Sequence, residues 1–225
     1  MARPQQISAD DIKRTARQQM QALGTAGLTL RGIARALDVT APAIYNYFPR
    51  LDDLITALIV DAFTALADAM ERADAATPPA QYGVRLAGIM RAYRTTALDQ
   101  PLDFQLIFGN AIPGYEAPRD ITVPAATRAA APFTRPIAEA LLMGHCIPAR
   151  LAPPPVTIPH LERLLAAIQL DVVIPSASLY YGMLAWSRAH GAILLEMHGH
   201  LLPVVGDGAA YYEHEIALLL SDLGF

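Results

Sequence analysis

Residues 27–55 read GLTLRGIARALDVTAPAIYNYFPRLDDLI, and two helix starts and a sharp stop stand out in them. Thr29 can cap a helix whose Leu30, Ile33, Ala34 and Leu37 make one apolar stripe, ending near Asp38 and Val39. Thr40 can cap a second helix, because Pro42 falls in a first turn, where its missing N–H has no intrahelical partner anyway. Ile44 and Phe48 then point inward, and Pro49 ends the helix. Upstream, Ser8 and Asp11 have capping-box spacing, and Ile12, Ala16, Met20 and Leu23 recur at helical intervals until Gly24, which predicts a helix over 9–23. A longer helix followed by two short ones is the tri-helical helix-turn-helix. In that motif the second short helix enters the DNA major groove by its N-terminal end while the first lies across the backbone.

Toward the C-terminus, the pattern predicts a fourth helix from Asp52 to about Ala75, with Asp52 and Asp53 at its positive end and Leu54, Leu58, Ala62, Ala65 and Ala69 on one face. Thr77-Pro78-Pro79 stops it. Further helices are predicted over about 80–98, 101–110, 122–145, 157–171, 176–199 and 208–223, with long connections at Ile112–Pro124 and Pro148–Pro159. Within 176–199, Leu179, Met183, Trp186, His190, Ile193 and Met197 alternate steps of four and three. Beside them Gly182, Ala185, Ala189 and Ala192 form a small-residue row that admits another helix, of this chain or of a second copy. Tyr212, Ile216, Leu219, Leu220 and Leu223 line the last helix, so the two C-terminal helices of two copies can build a four-helix homodimer interface. The expected fold is all-α: an N-terminal tri-helical helix-turn-helix domain, 1–52, and a larger helical regulatory, ligand-binding and dimerisation domain, 53–225.

The totals agree with this division. Of 225 residues, 53% are hydrophobic and 17% charged, and Ala and Leu, both helix formers, carry much of the apolar excess. The net charge of −4 is uneven: residues 1–50 carry seven basic groups (Arg3, Lys13, Arg14, Arg17, Arg31, Arg35, Arg50) against three acidic ones (Asp10, Asp11, Asp38), which leaves −8 for the rest. Such a distribution turns the N-terminal end toward a polyanion. A single cysteine, Cys146, excludes an internal disulfide, and the start lacks a secretory pattern, so a cytoplasmic protein is expected. The uncharged stretch Val172–Ser187 contains Pro175 and is shorter than the ~20 residues that span a bilayer, so no membrane partner is expected. His145-Cys146 and His198-Gly199-His200 are too few and too scattered for a metal site, and no nucleophile, phosphate-loop or metalloprotease motif occurs. Neither an enzyme nor a cofactor or metal is expected.

The stretch Gly27–Arg31, Ile33-Ala34, Val39–Tyr45, Tyr47-Phe48 and Asp53-Leu54 resembles the TetR family of bacterial regulators in spacing, turn residues and aromatic positions. The resemblance implies that Thr29 contacts a phosphate and that Arg31 reaches a phosphate or a guanine. It also implies that Thr40, Ala41, Ala43 and Asn46 face the groove, with Asn46 able to pair with adenine, and that Tyr45 and Tyr47 place hydroxyls on phosphates. The family commonly has a lysine just before the fourth helix; here that position is Leu51, with Arg50 beside it, and whether Arg50 replaces the lysine stays open. Trp186-Ser-Arg-Ala-His190-Gly191 is similar to the Trp-x-x-x-His-Gly motif of a subgroup's regulatory domain. A small-molecule effector is implied, and Tyr93, Phe104, Ile107, Phe108, Tyr115, Met183 and Trp186, with Asn110 or His190 as polar anchors, are the pocket candidates. The resulting expectation is a repressor released from a palindromic double-stranded DNA operator by a small apolar molecule. The alternative is a helical ligand- or protein-binding dimer without specific DNA binding.

Overall fold

The computed structural model describes residues 7–109, 112, 114–145, 147–168 and 174–225, with 167 and 168 described by backbone alone. Asn110 and Cys146 lie outside the described residues. The helices are α1 (Ala9–Leu23), α2 (Leu30–Ala36), α3 (Ala41–Tyr45), α4 (Leu51–Ala75), α5 (Tyr82–Asp99), α6 (Pro101–Phe108), α7 (Arg119–Leu142), α8 (Ile158–Ile168), α9 (Ser176–Met197), α10 (Leu202–Val205) and α11 (Gly208–Leu223). Short 3₁₀ turns occupy Thr25–Gly27 and Ala149–Leu151. No strand occurs among the described residues, so the chain is all-α.

Two compact units are formed. The first comprises residues 1–64 and 100–126; the second comprises 65–99 and 127–225. This division by compactness cuts α4 after Thr64 and returns α6 and the segment after it to the first unit.

In the first unit, α1 starts with the reciprocal capping box: the Ser8 hydroxyl accepts from Asp11 N–H at 3.1 Å, and the Asp11 carboxylate accepts from Ser8 N–H at 3.0 Å. Thr29 caps α2 through Gly32 N–H at 3.0 Å. The cap expected of the Thr40 side chain is not made: Thr40 occupies the N-cap position of α3 without a side-chain bond, and Pro42 alone favours that start. α2 ends in a Schellman arrangement, with Val39 N–H on Ala34 O at 3.0 Å and Asp38 N–H on Arg35 O at 3.3 Å. Asp38 takes the left-handed position at φ 53°, which aspartate tolerates better than most residues.

Ile12, Ala16, Met20, Leu30, Ile33, Ala34, Ile44, Phe48, Leu54, Ile55, Leu58 and Ile59 are buried together, each large one contributing about 1.5–3 kcal/mol. Leu102, Leu106, Ile107 and Tyr115 pack onto this core. Charge reinforces the join: Arg17 Nε donates to both Asp103 carboxylate oxygens at 2.9 and 3.0 Å, and Lys13 Nζ lies 2.8 Å from Asp61. Tyr115 and Thr56 share a hydroxyl hydrogen bond at 2.9 Å.

In the second unit, Leu86, Ile89, Met90 and Tyr93 of α5 are buried, as are Tyr181, Ala185, Ala189, Ala192 and Ile193 of α9 and Tyr212, Ile216, Leu219 and Leu223 of α11. The small-residue row therefore faces this chain's own core. At Gly182 a Cβ would stand 3.1 Å from the Cα of Thr134 on α7, so glycine is what lets α7 approach. α7 itself departs from the breaker rule. Pro124, expected to close a loop, lies inside the helix with Pro132 and Pro136, and each withholds one backbone donor from the ladder. α11 starts where the Asp207 carboxylate accepts from the N–H groups of Ala209 and Ala210, and its Tyr212 hydroxyl donates to Met90 O at 2.8 Å.

Candidate nucleic-acid interface

Burial separates the two faces of the helix-turn-helix. Leu30, Ile33, Ala34 and Ile44 enter the core, which turns Thr29 and Arg31 on one side and Thr40, Pro42, Tyr45 and Asn46 on the other toward solvent. Ala41 and Ala43 are half-buried, and Tyr47 and Arg50 are exposed. Thr29, Leu30, Arg31, Tyr45, Arg50 and Leu51 line one shallow concavity of about 340 Å³. The N-terminus of α2, the end of α3 and the start of α4 thus converge on one spot. Pro42, not picked out in the sequence, is exposed on the same short helix as Tyr45.

Several of these groups are already engaged. The Tyr47 hydroxyl donates to Ile7 O at 2.6 Å, so it gives a proton to a phosphate only by leaving that carbonyl. The Arg50 guanidinium lies 2.6 Å from the Asp52 carboxylate, and its backbone N–H donates to Asp53 at 2.9 Å. Lys13, Arg14 and Arg17 pair with Asp61, Asp11 and Asp103. Asp61, Asp103 and Asp52 lie beyond residue 50, so their pairs with Lys13, Arg17 and Arg50 offset three of the +4 read from residues 1–50, whereas Asp11 is already counted in it. Among the described residues Arg31 makes no ion pair.

The pocket candidates fall into two groups. In the first unit Phe104, Phe108 and Phe63 form an aromatic cluster, with centroids 4.9 Å apart for Phe104 and Phe108 and 5.9 Å for Phe63 and Phe108. Ile107 and Tyr115 pack on the core beside α4. In the second unit Trp186 Nε1–H donates to the Tyr93 hydroxyl at 3.0 Å, and that hydroxyl lies 2.8 Å from His190 Nδ1. Trp186 and His190, one turn apart on α9, bring their rings to 5.0 Å, and Phe133 meets Tyr93 edge-on at 5.2 Å. Met183, on the same helix, points away and is 55% exposed.

Indole nitrogen only donates. With Tyr93 accepting from Trp186 and donating to His190 Nδ1, the indole N–H, the hydroxyl and Nδ1 each have a partner, and the neutral imidazole carries its proton on Nε2. Burial also pushes the His190 pKa below its ordinary 6.5. The folded chain then binds this proton more weakly than the unfolded one. The neutral ring's contribution is fully present above pH 6.5 and is lost as the pH falls below it toward the folded-state value. Urea unfolding between pH of about 8 and about 5 should show wild type losing more stability than His190→Gln. Equal losses would contradict this assignment.

His145 and His198 serve backbone carbonyls. His145 Nε2 lies 3.0 Å from Leu223 O with its ring stacked on Phe225, and His198 Nδ1 lies 2.7 Å from Leu194 O. No described helix is long and apolar enough to cross a membrane.

Residues 12–58 match the family described as bacterial regulatory proteins, tetR family, and residues 86–219 match the tetracyclin repressor-like C-terminal domain. The chain is 39% identical over 134 residues to the HTH-type transcriptional regulators Rv1816 of Mycobacterium tuberculosis and Mb1846 of Mycobacterium bovis. That alignment takes in 60% of this chain and 57% of each relative. Among solved structures, the protein SCO4313 is 33% identical with a TM-score of 0.76 over 95% of both chains. A protein of unknown function from Rhodococcus sp. RHA1 shares the fold at 20% identity and a TM-score of 0.73 over 99% of both chains. Matches over both the helix-turn-helix and most of the helical remainder agree on one assignment: the chain belongs to the TetR family of bacterial regulatory proteins.

Proposed function

We propose that the protein is a one-component transcriptional regulator: residues 1–52 read an operator, and residues 53–225 dimerise and bind a small apolar effector that releases the DNA. The observation that carries this reading is the convergence of Thr29, Arg31, Tyr45 and Arg50 on one concavity beside the exposed face of α3. There, hydroxyls and guanidinium groups can hold a phosphate while Thr40, Ala41, Ala43 and Asn46 approach base edges.

The exposed sides of α9 and α11, with Met183, Ser187, Gly191 and Leu195 on one and His214, Ala217, Leu218 and Ser221 on the other, are the surfaces offered to a second copy. Two copies place two recognition helices on a palindromic site. The Tyr93, Trp186 and His190 cluster supports the Trp-x-x-x-His-Gly subgroup and supplies polar anchors for the effector, which acts by favouring a conformation with poor operator fit. The cytoplasm is the compartment where such a protein meets DNA.

Fluorescence anisotropy of the purified protein with the DNA flanking its own gene, at two salt concentrations, tests the reading. Tight binding that resists random competitor DNA and weakens steeply with salt is expected. Binding no tighter than to random DNA, repeated across a genomic fragment library, would favour the ligand- or protein-binding dimer instead.

A further inference from the structure

Two guanidinium groups line the concavity at the start of α4, and they differ in state. Arg31 has no ionic partner among the described residues, whereas Arg50 is held 2.6 Å from Asp52, two residues on and in the first turn of α4. The Arg50 side chain is 68% exposed and that of Asp52 41%, so the pair sits at the surface where DNA would arrive. A carboxylate and a phosphodiester present the same kind of oxygen pair to a guanidinium fork. Both claim the same N–H groups.

We propose that Asp52 is an internal competitor of the DNA backbone. It occupies Arg50 in the free protein and must be displaced when Arg50 takes a phosphate, so it sets operator affinity below what the basic groups alone would give. The proposal rests on the DNA-binding reading above. It also assigns Arg50 the phosphate contact that Leu51, lacking any charge, does not make. The neighbouring Asp53 is spared this role, because its carboxylate accepts the Arg50 backbone N–H and so fixes the start of α4.

Exposed ion pairs are weak, and releasing Arg50 should raise affinity about two- to fivefold for each copy of the chain. Two copies on one operator multiply the gain to about four- to 25-fold. Removing any acidic group near DNA also relieves repulsion, and a double-mutant cycle separates the two effects. Anisotropy with the gene-flanking DNA would compare wild type, Asp52→Asn, Arg50→Gln and the double variant. Circular dichroism melting would confirm that all four are folded.

If Asp52 competes for Arg50, Asp52→Asn binds more tightly than wild type, and the gain vanishes when Arg50 is already Gln. Arg50→Gln should also flatten the dependence of log K on log salt by about one phosphate per copy. An equal gain in both backgrounds would mean general repulsion and overturn the proposal. Specific wild-type binding that neither substitution alters would overturn it too, leaving the DNA-binding reading intact. Failure of all four proteins to bind would overturn both.

Discussion

Asp74→Ala is expected to destabilise the second unit by about 3 kcal/mol or more, although Asp74 touches no candidate site. Asp74 ends α4 and Arg85 opens α5; each is only 5% exposed. Arg85 Nε and a terminal nitrogen donate to the two Asp74 oxygens at 2.6 and 3.2 Å, and the guanidinium also reaches Glu139 of α7 and the Pro79 carbonyl. Deleting the carboxylate leaves a buried cation whose remaining acidic partner, Glu139, is 39% exposed and holds it only in part. Breaking one side of a buried pair typically costs ~3–5 kcal/mol, whereas replacing both by apolar residues of similar volume is often neutral. The Asp74→Leu, Arg85→Met double variant should therefore be more stable than Asp74→Ala. Urea midpoints at constant m-value decide it, and a single-variant loss under about 1 kcal/mol would show that the pair is solvated.

The second large effect belongs to Arg31→Ala. A charge-assisted contact to phosphate or guanine is worth about 1–3 kcal/mol, and two copies on one operator double the loss in free energy. Affinity should drop by about 30-fold to 10⁴-fold. Because Arg31 is exposed and unpaired among the described residues, its removal should leave the melting temperature unchanged. The pattern across mutated operators identifies its target: a uniform loss with a shallower salt slope means phosphate, and relaxed preference at one base pair means guanine. Arg35→Ala, on the same helix but outside the concavity, is the comparison, and an equal loss there would reduce the role of Arg31 to net charge.

The parts of the fold governed by local chemistry were legible in sequence. Ser8, Thr29 and Gly24 mark helix ends because caps act within four residues, and the bounds of α1, α9 and α11 follow from periodicity to within two residues. Non-local contacts were not legible. The spacing of Gly182, Ala185, Ala189 and Ala192 identifies a face but not its partner, which is this chain's own core. Pro124 reads as a breaker, yet α7 tolerates it, since packing of a long helix outweighs the loss of single backbone bonds. The pocket candidates share apolar character, and nothing in composition tells that Phe104, Ile107, Phe108 and Tyr115 settle in the first unit while Tyr93, Trp186 and His190 gather in the second. Charge counting found the basic end but missed Asp61, Asp103 and Asp52, which pair with its cations from later in the chain.

The discontinuity of the first unit also bears on how the protein is made. A ribosome that has released residue 64 has supplied the helix-turn-helix but not α6, whose Asp103 holds Arg17 and whose Phe104 and Phe108 complete the aromatic cluster. About 44 more residues must emerge before α6 is complete, which at ~5–20 residues per second takes roughly 2–9 s. During that interval the part of the first-unit core that Leu102, Leu106 and Ile107 pack against is uncovered. A prematurely terminated chain ending inside α5 would lack the α6 clamp, so a nonsense mutation there would leave the first unit incompletely built.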